Sequence, residues 1–257
     1  MLTVCSRTHP GTVRTINEDS SLWEPELGVI AVADGMGGHN AGEIASQLAL
    51  DTLRAFLQKN AAGDDFTWPF GFVPKLSFAA NRLMTAIKVA NHRVFRTAEE
   101  SSEYTGMGTT VVAALVDGPH LAYSGVGDSR IYSFDGSRMR QMTRDDSWVE
   151  MLMKESGLAA SAFERHPMRH VLTSVVGARP ELEVTVEELD LIDGQTIVLC
   201  TDGLHGALKD PDVEAVLKRE SDLDRAATEL VEMAVERDGK DNVTITLARY
   251  QNQRATA

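Results

Sequence analysis

The stretch from Thr109 to Met142 limits the fold most tightly. It holds apolar, β-branched runs at Thr109 to Val116, His120 to Val126, Arg130 to Phe134 and Arg138 to Met142. Asp117-Gly118-Pro119 turns the chain after the first run, and Asp135-Gly136 is a hairpin signal between the last two. Runs joined this tightly predict largely antiparallel sheets. Further strands are expected at Leu27 to Ala33, Thr196 to Thr201 and Val243 to Ala248. Helical spacing marks the rest. Ala41, Ile44, Ala45, Leu48, Ala49, Leu53, Phe56 and Leu57 form one apolar stripe, and Leu83, Ile87, Ala90 and Val94 a second. Val213 to Leu217 and Leu223 to Val235 repeat the pattern near the end. The expected class is α+β, with pairs of helices covering antiparallel sheets.

Composition then narrows the function. A chain of 257 residues has room for one large domain or two small ones. No run approaches the roughly 18 to 20 apolar residues that span a bilayer. Met1 to Pro10 lacks a basic region followed by an apolar one, so no signal peptide is expected. Cys5 and Cys200 are too few and too far apart for a disulfide framework, which points to a reducing cytoplasm. Each lies in an apolar run, as inert buried thiols do. The 38 acidic residues against 25 basic ones give a formal charge of −13, and no Lys/Arg cluster stands out. Neither nucleic acid nor a membrane is an expected partner. Such a surface also repels phosphorylated substrates at long range. Attraction must come from local cations or a few placed arginines.

The aspartates fall at strand ends. Asp34 ends one apolar run, Asp128 follows another, Asp202 ends a third and Asp241 precedes a fourth. A lone Asp-Gly is usually a turn. Four at strand ends, three beside glycine, place carboxylates around the rim of a sheet. Oxygen donors without a Cys/His set select hard cations such as Mg²⁺, Mn²⁺ or Ca²⁺. The calcium-loop spacing is absent, and scattered carboxylates facing one cleft suggest a two-metal hydrolytic site. Upstream, Arg14 offers a fork for phosphate oxygens; read more simply, it pairs with Glu18 on the surface.

Six motifs, in order, resemble the metal-dependent protein phosphatases of the PPM, or PP2C, type in their compact bacterial form. They are Gly11-x-x-Arg14-x-x-Asn17-Glu18-Asp19, Val32-Ala-Asp34-Gly35-Met-Gly-Gly-His39, Gly108-Thr109-Thr110, Gly127-Asp128-Ser129-Arg130, Thr201-Asp202-Gly203 and Asp241-Asn242-Val243. The resemblance spans about Ser6 to Tyr250. It implies a single domain over 1–257, built as a four-layer α-β-β-α sandwich of two antiparallel sheets flanked by helix pairs, with a variable flap at about 144–175. It implies two Mn²⁺ or Mg²⁺ ions and a third, weaker one. Asp34 would bridge the pair, the Gly35 carbonyl would bind one ion, Asp202 and Asp241 would hold the other, and Glu18 would act through water. Asp128, with Asp202, would serve the third. Arg14 would bind the substrate phosphate and His39 would be the general acid.

The activity so implied is hydrolysis of phosphoserine and phosphothreonine by a metal-bridging hydroxide, with no phosphoenzyme. The cytoplasmic substrates would be phosphoproteins made by a eukaryotic-type Ser/Thr kinase, and the enzyme a monomer. A catalytically silent binding module and a hydrolase of small phosphate esters are the alternatives. Neither cysteine begins a Cys-x₅-Arg pattern, which disfavours a thiolate phosphatase. Asp146 departs from the family, which often has histidine there, and this bears on the flap or substrate preference. The aromatic run Phe66 to Phe72 covers the core or forms an exposed patch.

Overall fold

A computed structural model describes residues 1–38, 41–60, 68–157, 163, 166–168 and 170–252. In chain order, the first half contains β1 (Leu2–His9), β2 (Asp19–Glu24), β3 (Val29–Met36), α1 (Ala41–Lys59), α2 (Phe78–Glu100), β4 (Gly108–Thr109), β5 (Val111–Asp117) and β6 (His120–Val126). The second half contains β7 (Arg130–Phe134), β8 (Met139–Gln141), α3 (Trp148–Ser156), β9 (Glu187–Asp190), β10 (Thr196–Cys200), α4 (Asp202–His205), α5 (Asp210–Arg219), α6 (Leu223–Arg237) and β11 (Val243–Tyr250).

One sheet runs β1-β11-β10-β7-β8 and the other β2-β3-β5-β6-β9, with β4 paired to β3. Every pairing between these strands is antiparallel, as the tight turns require. Alternation along the strands separates three apolar layers. On β3, Val29, Ala31 and Ala33 face α1 and α2, while Ile30 and Val32 face the other sheet. On β10, Ile197 and Leu199 meet them from across the gap, while Val198 and Cys200 pack under α5 and α6. Helix pair, sheet, sheet and helix pair therefore stack in that order.

Several boundaries moved. Asp34-Gly35 lies within β3 and not in a turn after it, because β4 pairs at Gly35 and Met36 and carries the strand on. Thr110 separates β4 from β5 in the run expected to be one strand. Asp202 opens the short helix α4. Strands β1, β2 and β9 were not expected, since polar residues interrupt their apolar pattern.

Candidate metal centre

Strand parity aims the carboxylates. Asp34 continues the Ile30, Val32 face of β3 and so points into the gap between the sheets. Asp19 on β2 stands directly opposite Asp34 in the register, on the same face. Two carboxyls side by side repel unless a proton or cation lies near. From the second sheet, Thr201 continues the Ile197, Leu199 face, Asp202 follows it, and Asp241-Asn242 leads into β11.

Hydroxyls and one amide hold this rim. Asp19 Oδ2 accepts from Thr201 Oγ1 at 2.9 Å and from Thr244 Oγ1 at 2.6 Å, linking β2 to the opposite sheet. The Asp34 N–H donates to Thr110 Oγ1 at 2.9 Å, and Thr110 Oγ1 lies 2.7 Å from Ser129 Oγ, beside Asp128. Buried Asn242 donates to the carbonyls of Pro10 and Ile16 and accepts from the Glu18 N–H at 2.8 Å, which draws the segment carrying Arg14 and Glu18 onto β11. His205 donates from Nε2 to the Asp128 carbonyl at 2.9 Å. Burial pushes the His205 imidazole down to about 4, so it is neutral in this role.

The glycines beside two aspartates permit close backbone approach. A Cβ at Gly35 would meet the Gly42 carbonyl oxygen at 1.9 Å, and one at Gly203 the Asn242 carbonyl oxygen at 2.0 Å. The first contact seats the start of α1 against β3. There the Glu18 carboxylate accepts from the Gly42 N–H, which together with Arg14 partly offsets the rise that burial causes in its pKa.

Burial and then mutual repulsion govern the acids. Asp34 is held well above the carboxylate range, by burial first and by Asp19, Asp202 and Asp128 after it. Burial raises Asp19 to about 7 against its two hydroxyl donors, and Asp128 to about 7 with Asp202 adding to the effect. Asp202 is raised by burial and by Asp241, and its side chain lies within hydrogen-bonding reach of Asp34. Asp19 Oδ1 and Asp202 Oδ1 are buried without a hydrogen-bond partner.

Unpartnered carboxylate oxygens among like charges fit a hard divalent cation. The ligand geometry is not preformed. Among the described residues no three His, Cys, Asp or Glu side chains make a ready-made set. Mg²⁺ and Mn²⁺ complete such sites with main-chain oxygens and water, so the donor chemistry fits.

The remaining candidates divide. Arg14 pairs with Asp241 at 3.0 Å and not with Glu18, and its guanidinium stays half exposed. Asp241 raises the Arg14 pKa further. His39 lies outside the described residues. Asp146 ties its segment to Gly127 and Thr173: its N–H donates to the Gly127 carbonyl at 2.7 Å, its carboxylate accepts from the Gly127 N–H, and its carbonyl accepts from the Thr173 N–H. Neighbouring Asp145 takes Arg130 bidentately. Burial lifts the Cys200 thiol to about 12 and Cys5 to about 11, although Cys5 is only half-buried and donates to Asp224. Neither is a thiolate nucleophile at neutral pH. Asp19 and Asn242 were missed as individual residues. Both sit inside motifs, but only strand register and the Asn242 hydrogen bonds reveal their positions.

Comparison with known proteins gives the family. The family described as protein phosphatase 2C matches residues 12–247. The serine/threonine phosphatase stp of Listeria innocua is 31% identical over 248 residues, covering 94% of this chain and 93% of that protein. The catalytic domain of the serine/threonine protein phosphatase PstP, solved in complex with two manganese ions, superposes with a TM-score of 0.81 at 30% identity, over 96% of this chain and 97% of that one. Stp1 from Staphylococcus aureus gives a TM-score of 0.84 at 30% identity, over 98% and 96%. The chain belongs to the protein phosphatase 2C family and is a phosphoprotein phosphatase.

Proposed function

We propose that this phosphatase hydrolyses phosphoserine and phosphothreonine in proteins by direct transfer of the phosphoryl group to water, at two Mn²⁺ or Mg²⁺ ions held on the inter-sheet rim. The observation that carries this is the rim itself, where Asp202 Oδ1 and Asp19 Oδ1 are buried and unpartnered among like charges. Asp34, the Gly35 carbonyl, Asp202, Asp241 and Glu18 would hold the pair, and Asp128 with Asp202 a third ion. The ions, when bound, supply a water acidic enough to act as the nucleophile and positive charge against the phosphoryl oxygens.

The chain's own residues do the rest. Arg14, held by Asp241 with half its side chain in solvent, would take a phosphate oxygen as substrate arrives. The phosphorus–oxygen bond to the serine or threonine breaks, and that oxygen needs a proton. His39 is assigned this proton from its place in the motif after Gly37-Gly38. Ser129, Thr110, Thr201 and Thr244 hold the strand ends that carry the acids. Residues 1–257 act as one domain, with phosphoproteins made by a Ser/Thr kinase as substrates. No metal aspartate of the family is lost, which argues against a silent module.

The test uses a phosphothreonine peptide. Turnover should stop in EDTA and return with Mn²⁺, and equilibrium dialysis should count two tightly held ions in the wild type and fewer in Asp202→Asn. Full turnover after exhaustive chelation would rule this mechanism out.

A further inference from the structure

The helix pair α1 and α2 carries a surface that the reaction does not use. None of the chain's 38 acidic residues falls between Asp65 and Glu99, whereas Lys75, Arg82, Lys88, Arg93 and Arg96 all do. In a chain of formal charge −13, this is a local reversal of sign. The same stretch exposes three phenylalanines: Phe70 is 44%, Phe72 46% and Phe78 47% accessible. Beside Phe70 opens a groove of about 560 Å³ whose walls include Thr52, Val89, His92, Arg93 and Arg96.

The rings are held in place. Trp68 meets Phe72 and Phe78 edge-on, with centroids 5.1 and 5.6 Å apart, and the Lys88 ammonium lies 5.9 Å from the centre of the Phe70 ring. Arg82 turns inward to the Leu57 carbonyl at 3.0 Å. Arg93 and Arg96, one helical turn apart on the exposed face, stay in solvent; Glu100, which also lines the groove, is 3.6 Å from Arg96, and exposed Glu99 precedes it at the helix end. An exposed apolar patch marks an interaction site, and its rim of charge selects the sign of the partner.

We propose that this face docks an acidic segment of a protein substrate. One apolar side chain of the segment sits against Phe70 and Val89, and its carboxylates pair with Arg93 and Arg96. The proposal rests on the phosphatase function above and adds where the protein, as distinct from its phosphate, is held. Charge complementarity favours this occupant. An acidic segment is attracted here and repelled by the acidic remainder of the surface, so it arrives in one orientation. A flat anionic membrane would bring that remainder against lipid headgroups. The guanidinium fork also matches carboxylates bidentately.

The experiment uses the Mn²⁺-loaded protein and a fluorescein-labelled, unphosphorylated peptide of Glu and Asp flanking a Leu-Phe pair. Fluorescence anisotropy should show salt-sensitive binding that weakens by about tenfold in Arg93→Gln/Arg96→Gln and by less in Phe70→Ala. A phosphothreonine peptide carrying the same segment should show a lower KM than one without it. The double variant should erase that advantage while p-nitrophenyl phosphate turnover and circular dichroism stay at wild-type values. Lys88→Gln, at the groove's edge, gives a second reading should the double variant unfold.

Equal affinity of wild type and variants would overturn the proposal. So would binding to phosphatidylglycerol vesicles in place of the peptide, or self-association in sedimentation that Arg93→Gln/Arg96→Gln abolishes. Tighter peptide binding after Asp64→Asn/Asp65→Asn would assign the face to the chain's own acidic segment and overturn it equally. Loss of the phosphatase function would look different: the wild type would fail to turn over the untailed phosphopeptide while anisotropy remained unchanged.

Discussion

Replacing Asp19 with asparagine should flatten the pH dependence of stability in the metal-free protein. Asp19 is 9% exposed and sits opposite Asp34, with its two hydrogen bonds on one oxygen. Burial raises it from 3.8 to about 7. An acid with a raised folded pKa binds its proton more readily in the native state. Its stabilising contribution is therefore complete below about 3.8, declines as pH rises, and is gone above about 7. Each pH unit inside that window costs about 1.4 kcal/mol, so Asp19 alone should remove on the order of 2–3 kcal/mol between pH 5 and 7. Asp34, Asp128 and Asp202 are raised as well and act in the same direction. Urea unfolding in EDTA at successive pH values reads the slope directly. The wild-type midpoint should fall across this window, and Asp19→Asn should lose that share of the fall. Saturating Mn²⁺ should stabilise more at pH 8 than at pH 5, because the ion replaces protons on these oxygens. Stability that is flat or rising from pH 5 to 7 without metal, or an unchanged slope in Asp19→Asn, would refute the burial argument.

Asp34→Asn, Asp202→Asn and Asp241→Asn should each lower kcat by roughly 10²-fold or more with far-UV circular dichroism unchanged, because charge is needed to retain both ions; wild-type turnover in Asp202→Asn at saturating metal would count decisively against the site. Asp128→Asn should leave the affinity for the paired ions closer to wild type. Arg14→Ala should raise KM for a phosphothreonine peptide, and any fall in kcat reports the strength its contact gains in the transition state. His39→Ala should lower kcat on that peptide by about 10²- to 10⁴-fold and on p-nitrophenyl phosphate by much less, since a phenolate leaves without a proton; an equal loss on both substrates would make His39 a positioning residue.

The antiparallel order was legible because Asp117-Gly118-Pro119 and Asp135-Gly136 are turn chemistry with strands on either side. The helices were legible through their stripes, though α5 extends beyond Val213 to Leu217 at both ends. What failed to show had a physical cause. On β1 the inward positions that follow Leu2 and Val4 are Ser6 and Thr8, which bond to Thr246 and Thr244, so period-two hydrophobicity breaks where the interior turns polar. Acidic β9 lies at a sheet edge and, among the described residues, pairs only with β6. Asp34-Gly35 reads as a turn, yet a long-range pairing with β4 overrides that local preference. Asp19 follows Glu18 in sequence with nothing to distinguish the two. Only register puts one opposite Asp34 and the other beside the first turn of α1. The cations of α2 escaped notice because helical spacing scatters them along the sequence, and their signal is the missing acids between Asp65 and Glu99.

Between the two sheets the chemistry is graded along one axis. Ile30, Val32, Ile197 and Leu199 fill the dry middle. Thr110, Ser129, Thr201 and Thr244 form a hydroxyl layer next to them, and the carboxyls of Asp19, Asp34, Asp128 and Asp202 come last. The hydroxyl layer is what makes the gradient possible. A hydroxyl can donate to a carboxylate and also accept from a backbone N–H, as Thr201 does toward Asp19 and from Thr244. Thr110 accepts from the Asp34 N–H and pairs with Ser129, so such a layer can end an apolar core and begin a charged rim without stranding a polar atom. The unsatisfied oxygens are thereby displaced outward to Asp19 Oδ1 and Asp202 Oδ1. Burial that destabilises the free acids is relieved when a cation neutralises them, so metal affinity and pH-dependent stability are two measurements of the same buried charge. A substitution that lowers one by neutralising a rim carboxyl should therefore raise the other in the metal-free protein above neutral pH, whereas one that merely loosens the fold should lower both.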